Sequence, residues 1–146
     1  MILDFEIDKA ELEQARMHDP VLADMGVLNH TTFLMPVRLT VGGLLLFNTS
    51  TGILYMAMAA DAVGQLPHQG SIRLHPPGMT LLFSMHEDEA AIGVLGSDLT
   101  GREPFVDVLH GWESFASKVR EFLLEEFPGL REHAQLGSWF RRGDIT

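Results

Sequence analysis

The segment HEDEA at residues 86–90 is the stretch of this sequence closest to a catalytic motif. A zinc-protease helix carries HExxH, in which two histidines one helical turn apart bind the metal and the glutamate acts as the base. Ala90 stands where the second histidine would be, and the segment has the pattern of a strand end and a turn. Three adjacent carboxylates in a tight turn cannot converge on one cation, and the alternate spacing of a calcium loop is absent. Glu87, Asp88 and Glu89 are therefore predicted to form a solvated acidic turn.

The other candidates for catalysis are single residues rather than constellations. No two of the seven histidines lie four residues apart on one predicted helix, and His75 and His86 on neighbouring strands make only a weak metal-site candidate, so we expect surface histidines. The nucleophile elbow, the phosphate loop and the dinucleotide fingerprint are missing from the sequence. There is no cysteine to act as a nucleophile or thiolate ligand. We predict no catalytic residue, no cofactor and no metal.

Asp61 and Asp107 are the carboxylates that the sequence pattern places closest to the core. A buried carboxylate can serve as a general acid or base. The alternative is a structural role, in which a backbone group or a strand arginine such as Arg38 or Arg73 satisfies the charge. We favour the structural role for both residues.

Charge gives the strongest indication of a partner. The chain of 146 residues has a formal net charge of −10. A surface of this sign repels nucleic acids and anionic membranes, which argues against both as partners, and it attracts a basic protein. Simple solubility is the other interpretation. Within residues 1–24, seven carboxylates stand against Lys9 and Arg16, a local charge of −5.

A second candidate contact lies near the end of the sequence. Trp139 and Phe140 are followed by Arg141 and Arg142. Aromatic residues and arginine are enriched at the hot spots of protein interfaces. The alternative is that both rings pack the last helix onto the domain. The candidate partner-binding residues are thus Glu87, Asp88, Glu89, Trp139 and Phe140.

Length and the N-terminal sequence bound the organisation and the compartment. A chain of 146 residues without an internal linker predicts one domain over residues 1–146. The opening MILDFEIDKAELEQ lacks the basic region and apolar segment of a signal peptide, and the chain has no cysteine for a disulfide. We therefore expect a cytoplasmic protein.

Apolar and polar residues alternate along several segments, which predicts strands. The alternation covers residues 2–8 and 33–41, and Gly42–Gly43 has the composition of a hairpin turn before the next strand. Pro36 lacks an amide donor, which indicates an edge strand or a strand start. Residues 49–52 read as a turn in which Ser50 or Thr51 caps the following helix.

The second half of the chain alternates short apolar runs with turn residues. Over residues 71–109 this pattern predicts an antiparallel meander, with its last strand at 104–109.

Two helices complete the predicted fold. Residues 53–66 are apolar nearly all round but fall short of the roughly 20 residues that span a bilayer, so they predict a buried helix. Residues 112–127 place apolar side chains at helical spacing and predict an amphipathic helix. The sequence therefore indicates an α+β fold, in which an antiparallel sheet of five to seven strands packs against both helices.

The predicted organisation resembles that of small bacterial immunity proteins, which neutralise toxins by binding them. The resemblance rests on size, acidity and the strand-to-helix ending PFVDVLHGWESFASKVREFL, and no motif supports the transfer of individual residues. Together with the missing catalytic residues, it implies a non-enzymatic acidic module that occludes a basic protein. The alternative is a small enzyme or ligand-binding domain, with a pocket between helix 53–66 and the sheet into which Asp61 reaches.

Overall fold

The computed structural model describes the backbone of residues 1–144 and the side chains of residues 1–143. The first part of the chain contains β1 (Ile2–Phe5), α1 (Lys9–Met17), α2 (Met25–His30), β2 (Leu34–Val41) and β3 (Leu44–Gly52). The three strands form an antiparallel sheet in the order β1-β2-β3. The carboxylates of Asp8 and Asp24 each accept N–H groups from the first turn of the helix that follows, so both short helices begin at an acidic cap.

Three short helical segments follow, α3 (Ile53–Met58), α4 (Ala60–Gly64) and α5 (Leu66–Gln69). The predicted burial of this region is confirmed, since Ile53, Leu54 and Met56 have no exposed surface. The predicted continuity is wrong, because the helix is interrupted at Ala59 and again before Leu66. Pro67 has no amide with which to continue the hydrogen-bond ladder of α4, which accounts for the second interruption.

The predicted turn at 49–52 is also wrong, because β3 continues to Gly52. Neither Ser50 nor Thr51 caps the next helix. The Thr51 hydroxyl is buried and donates instead to the Pro77 carbonyl oxygen at 2.8 Å.

The second part of the chain contains β4 (Ser71–Leu74), β5 (Leu81–His86), β6 (Glu89–Val94), β7 (Thr100–Pro104), α6 (Phe105–Glu126), a 3-10 turn (Pro128–Glu132), α7 (Gly137–Arg141) and a last 3-10 turn (Arg142–Asp144). Strands β4 to β7 form an antiparallel meander. The α+β fold and the number of strands are confirmed. The difference is that the seven strands form two sheets, of three and four strands, rather than one.

The long helix α6 begins at Phe105, so the predicted strand at 104–109 is wrong. The segment PFVDVL alternates with period two, but Val108 also lies one helical turn before the buried Trp112. The Phe105 N–H donates to the Asp88 carbonyl oxygen at 2.9 Å, which holds the start of the helix against the β5–β6 turn.

Helix α6 connects the two sheets through aromatic contacts. The Phe115 ring lies 5.7 Å from the Phe5 ring of β1, and the Trp112 ring lies 5.4 Å from the Phe83 ring of β5, both edge-on. The Trp112 indole N–H also donates to the Met56 carbonyl oxygen at 2.7 Å, which fixes α3 on the helix. Buried residues of both sheets and of α6 therefore form one continuous core.

Pro36 lies in β2, the central strand of its sheet, rather than in an edge strand. Its carbonyl oxygen accepts the N–H of Glu6 at 2.9 Å, just beyond the end of β1. The N–H and C=O of a strand residue point to the same side, so the missing donor of Pro36 also faces the end of β1. Only one terminal hydrogen bond is lost, which explains why a central strand tolerates this proline.

The two sheets touch where the β2–β3 hairpin crosses β7. Gly42 has a φ of +59°, and a Cβ added there would lie 2.6 Å from the carbonyl oxygen of Arg102. The Gly42 N–H donates to the Glu103 carboxylate at 2.8 Å. Glycine at this position is therefore required both by the turn and by the approach of the second sheet.

Candidate functional site

The predicted acidic turn joins β5 to β6. Glu87 and Asp88 are exposed, and Glu89 is half-buried at the start of β6, opposite Pro104 of β7. Because the Asp88 carbonyl holds the first residue of α6, the turn lies at the N-terminal end of that helix. The exposed Asp107 belongs to the first turn of α6 and so lies in the same region. We call Glu87, Asp88, Glu89 and Asp107 the acidic end.

The carboxylates of the acidic end form no ion pairs within the described structure. No ion pair joins any of its four carboxylates to a basic group in residues 1–143. The N-terminal end of a helix carries partial positive charge, which favours Asp107 in the first turn. The remaining negative potential is directed to solvent, so this end of the molecule can attract a cationic surface.

Trp139 and Phe140 are buried, with 5% and 0% of their surface exposed. The Arg120 guanidinium lies 4.3 Å from the centre of the Trp139 ring, and its Nε donates to the Trp139 carbonyl oxygen at 3.0 Å. Burial lowers the pKa of Arg120, and the charge of Arg142 lowers it further while Asp61 opposes this. Both rings therefore pack into the domain, which is the alternative given for them above. Their contact with a partner stays a prediction, and it would require α7 to move.

Asp61 and Asp107 are both exposed, so the prediction that they are the partly buried carboxylates is wrong. Asp61 pairs with Arg142, whose nitrogen lies 3.0 Å from both carboxylate oxygens, and not with Arg38 or Arg73. The turn of α4 directs Asp61 toward α6 and Arg142. An exposed pair of this kind contributes at most about 1 kcal/mol.

The histidines are separate, as expected for surface residues, with one exception. His75 contacts the Thr80 hydroxyl at 3.3 Å, and His86 contacts the Ser84 hydroxyl at 3.0 Å. They lie beyond opposite ends of the β4–β5 pairing and do not approach each other.

The exception is His133, which is 5% exposed, so the expectation of a surface histidine is wrong there. Its Nδ1 accepts the N–H groups of Gln135 and Leu136 at 3.1 Å each, and its Nε2 lies 2.5 Å from the Ala23 carbonyl oxygen. A ring that accepts at Nδ1 must carry its proton on Nε2, which donates to Ala23. The sequence does not indicate this role. The His133 ring accepts backbone N–H groups as the side chain of a helix cap does, but the usual residues at a cap are Asp, Asn, Ser and Thr.

A pocket does lie where the alternative function requires one, between α3–α4 and β4. It has a volume of about 210 Å³ and is lined by Tyr55, Met58, Ala62 and Leu74, among others. Asp61 does not line it. The Tyr55 hydroxyl is already engaged, since it accepts a hydrogen bond from the backbone N–H of His75 at 2.7 Å. The pocket is therefore small and carries no carboxylate.

A larger cavity, of about 320 Å³, lies between α1 and α2, and sequence reasoning missed it. We call it the α1–α2 cleft. Its lining includes Glu11, Gln14, Ala15, His18, Val27 and Leu34. Met17 and Leu22, which adjoin lining residues in the chain, are 78% and 83% exposed. The cleft thus combines an apolar floor with one carboxylate and exposed apolar neighbours.

Three contacts attach the walls of the α1–α2 cleft to the end of α6 and the residues after it. Arg16 pairs with Glu126 at 2.6 Å, and this hydrogen bond is the main cause that raises the pKa of Arg16. The Met25 N–H donates to the Gln135 side chain at 2.7 Å, and His133 bonds Ala23 as described above. The cleft and the acidic end therefore lie at opposite ends of a helix of 22 residues, about 33 Å long.

Comparison with known proteins gives no further information on function. The chain matches no protein-family model, no curated protein and no solved structure. Within the described part of the chain, no three His, Asp or Glu side chains come together in a group that could hold a metal ion, and the absence of a metal stays a prediction. None of the described helices has both the length and the apolar character needed to pass through a membrane.

Proposed function

We propose that this protein is a non-enzymatic acidic module that binds and occludes a basic protein in the cytoplasm, in the manner of immunity-type proteins. The observation that carries the proposal is the acidic end, where four carboxylates have no ionic partner among the described side chains. The net charge of −10 supports it and disfavours nucleic acid as the partner.

The physical basis is long-range attraction rather than tight individual contacts. Charge of one sign on a small domain raises the rate of encounter with an oppositely charged surface. Carboxylates at the rim of an interface act mainly on that rate and contribute little each to the lifetime of the complex. The acidic end would therefore act as a steering surface.

The test neutralises the turn without changing its shape. The triple variant Glu87→Gln, Asp88→Asn, Glu89→Gln is compared with the wild type for association with the partner captured from the native host. Rates are measured at ionic strengths of about 0.01 M and about 1 M, where the screening length is about 30 Å and about 3 Å. We expect association of the triple variant to slow several-fold at low salt, with little change in dissociation.

The matched control is the triple variant Glu113→Gln, Glu121→Gln, Glu125→Gln, which removes the same charge from exposed positions along α6. If both triple variants slow association equally, net charge and not the acidic end is responsible. A wild-type association rate that does not depend on salt would also contradict the proposal.

The alternative proposal, a small enzyme or ligand-binding domain, is favoured by the pocket lined by Tyr55, Met58 and Leu74. Its volume of about 210 Å³ lies below the usual range for ligand sites of about 300–1,000 Å³. Turnover or binding of a small molecule by the purified protein, abolished by Met58→Phe, would establish this alternative.

A further inference from the structure

We propose that the α1–α2 cleft is a receptor for one arginine side chain of the basic partner. This inference rests on the proposed function, because it names the chemistry by which a basic protein would be held. It concerns a different part of the molecule from the acidic end, which lies at the other end of α6.

The size of the cleft limits its occupant. Its volume of about 320 Å³ is at the lower end of the range of small-molecule sites, about 300–1,000 Å³. That space accommodates a single large side chain. Met17 and Leu22, which adjoin lining residues in the chain, are exposed, so a docked surface can contact them.

The carboxylate in the cleft determines the charge of the occupant. Glu11 has no ionic partner among the described side chains. Its Oε1 receives only a long hydrogen bond of 3.4 Å from the Leu34 N–H, which leaves acceptor capacity on both oxygens. An unpaired carboxylate beside an apolar floor favours a cation that can be partly desolvated, because pairing offsets the cost of burial.

Arginine fits this lining better than lysine does. Its methylene stem can lie along Ala15 and Val27, while the guanidinium reaches Glu11 and the Gln14 side chain. The planar guanidinium offers five N–H donors and is less strongly hydrated than an ammonium group. Arginine is also enriched at interface hot spots, where it fills pockets of the opposing surface.

The surroundings of the cleft are complementary to a basic partner. Residues 1–24 have a local charge of −5, and α1 belongs to this segment. Exposed apolar side chains beside a charged pocket are typical of surfaces that contact another protein. An anionic ligand is disfavoured by the same charges.

The test uses a small probe on the purified full chain. Nα-acetyl-arginine methylamide is titrated while amide chemical shifts are followed by NMR, with the citrulline analogue as the uncharged isostere. We expect the arginine probe to shift the amides of Ala15, Val27 and Leu34 in a saturable manner, and the citrulline probe to leave them unchanged.

Two variants and one control complete the test. Glu11→Gln keeps the acceptor for the Leu34 N–H and should weaken the probe about tenfold by removing the charge. Val27→Phe, at a position that is 46% exposed, should block the cleft without loading the core. Glu13→Gln removes the same charge from the same helix outside the cleft and should leave binding unchanged.

The inference is overturned if the arginine probe does not shift the cleft amides, if citrulline binds equally well, or if Glu13→Gln weakens binding as much as Glu11→Gln does. These failures are separate from failure of the proposed function. If the cleft does not bind arginine but association with the partner still depends on the acidic end, the proposed function stands and only the inference about the cleft fails.

Discussion

Glu87 has a φ of 62°, in the left-handed region that an L side chain occupies at a cost of about 1 kcal/mol or more. It holds the first central position of the two-residue β5–β6 turn, where hairpins usually place glycine. We expect Glu87→Gly to raise the free energy of unfolding by about 0.5–1 kcal/mol in urea denaturation.

The control for this prediction is Asp88→Gly in the same turn. Asp88 does not have a positive φ, so glycine there only adds flexibility to the unfolded chain and should destabilise by about 0.5–1 kcal/mol. Shifts of the same sign in both variants would show that strain at Glu87 is not the cause.

Glu103 gives a pH dependence that can be measured. Burial alone raises the pKa of this carboxyl, but hydrogen bonds from the Met1 amine and the Gly42 N–H, together with the amine's charge, outweigh it and hold the pKa below the ordinary 4.5. A carboxyl with a depressed pKa in the folded state stabilises the protein fully above 4.5 and loses that contribution as the pH falls through the lowered value.

The difference in unfolding free energy between the wild type and Glu103→Gln should therefore be constant from about pH 6 to about pH 5 and then shrink toward about pH 3. Other carboxylates titrate over the same range in both proteins and largely cancel in the comparison. A difference that stays constant across this range would contradict the depressed pKa.

At the scale of elements, the crossing of the β2–β3 hairpin over β7 can be tested with two adjacent glycines. Gly42 and Gly43 both have positive φ. A Cβ added at Gly42 would collide with the Arg102 backbone, whereas a Cβ added at Gly43 would lie in open space. We expect Gly43→Ala to cost about 1–2 kcal/mol from backbone strain, and Gly42→Ala to cost at least about 1 kcal/mol more. Equal losses of melting temperature would mean that the two sheets do not press together here.

The elements that sequence reasoning predicted are those whose pattern is local. Alternating side chains identified β2 and the strands of the meander as far as Val94, and the glycine pair identified the hairpin. The start of α6 was missed because PFVDVL fits a strand as well as a helix. The deciding contact, from Phe105 to the Asp88 carbonyl, comes from another part of the chain.

The same distinction applies to the candidate sites. The acidic turn was predicted because three consecutive carboxylates are visible in any local window. The α1–α2 cleft was missed because its walls come from two helices and from Leu34 at the start of a strand. His133 was missed because its partner Ala23 is distant in the sequence, and no pattern within either segment indicates the contact.

At the scale of the whole molecule, His133 is one of the points where the early and late parts of the chain are joined. Replacing it with alanine leaves a buried carbonyl and two N–H groups without their partner, so we expect His133→Ala to destabilise by about 2–4 kcal/mol. Hydrogen exchange should show the largest loss of protection in α1, α2 and the residues before α7. His18→Ala, at an exposed histidine of the same cleft wall, should leave the protection pattern nearly unchanged.

The contacts of the α1–α2 cleft also determine when the cleft can form during protein synthesis. Arg16 with Glu126, Ala23 with His133 and Met25 with Gln135 are each separated by 110 residues. At about 5–20 residues per second, a ribosome needs about 6–22 s to make the second partner after the first. Helices of nine and six residues do not persist alone in water. The cleft therefore does not form on a nascent chain that lacks these partners. Any binding that depends on the cleft requires residue 135 to have been translated.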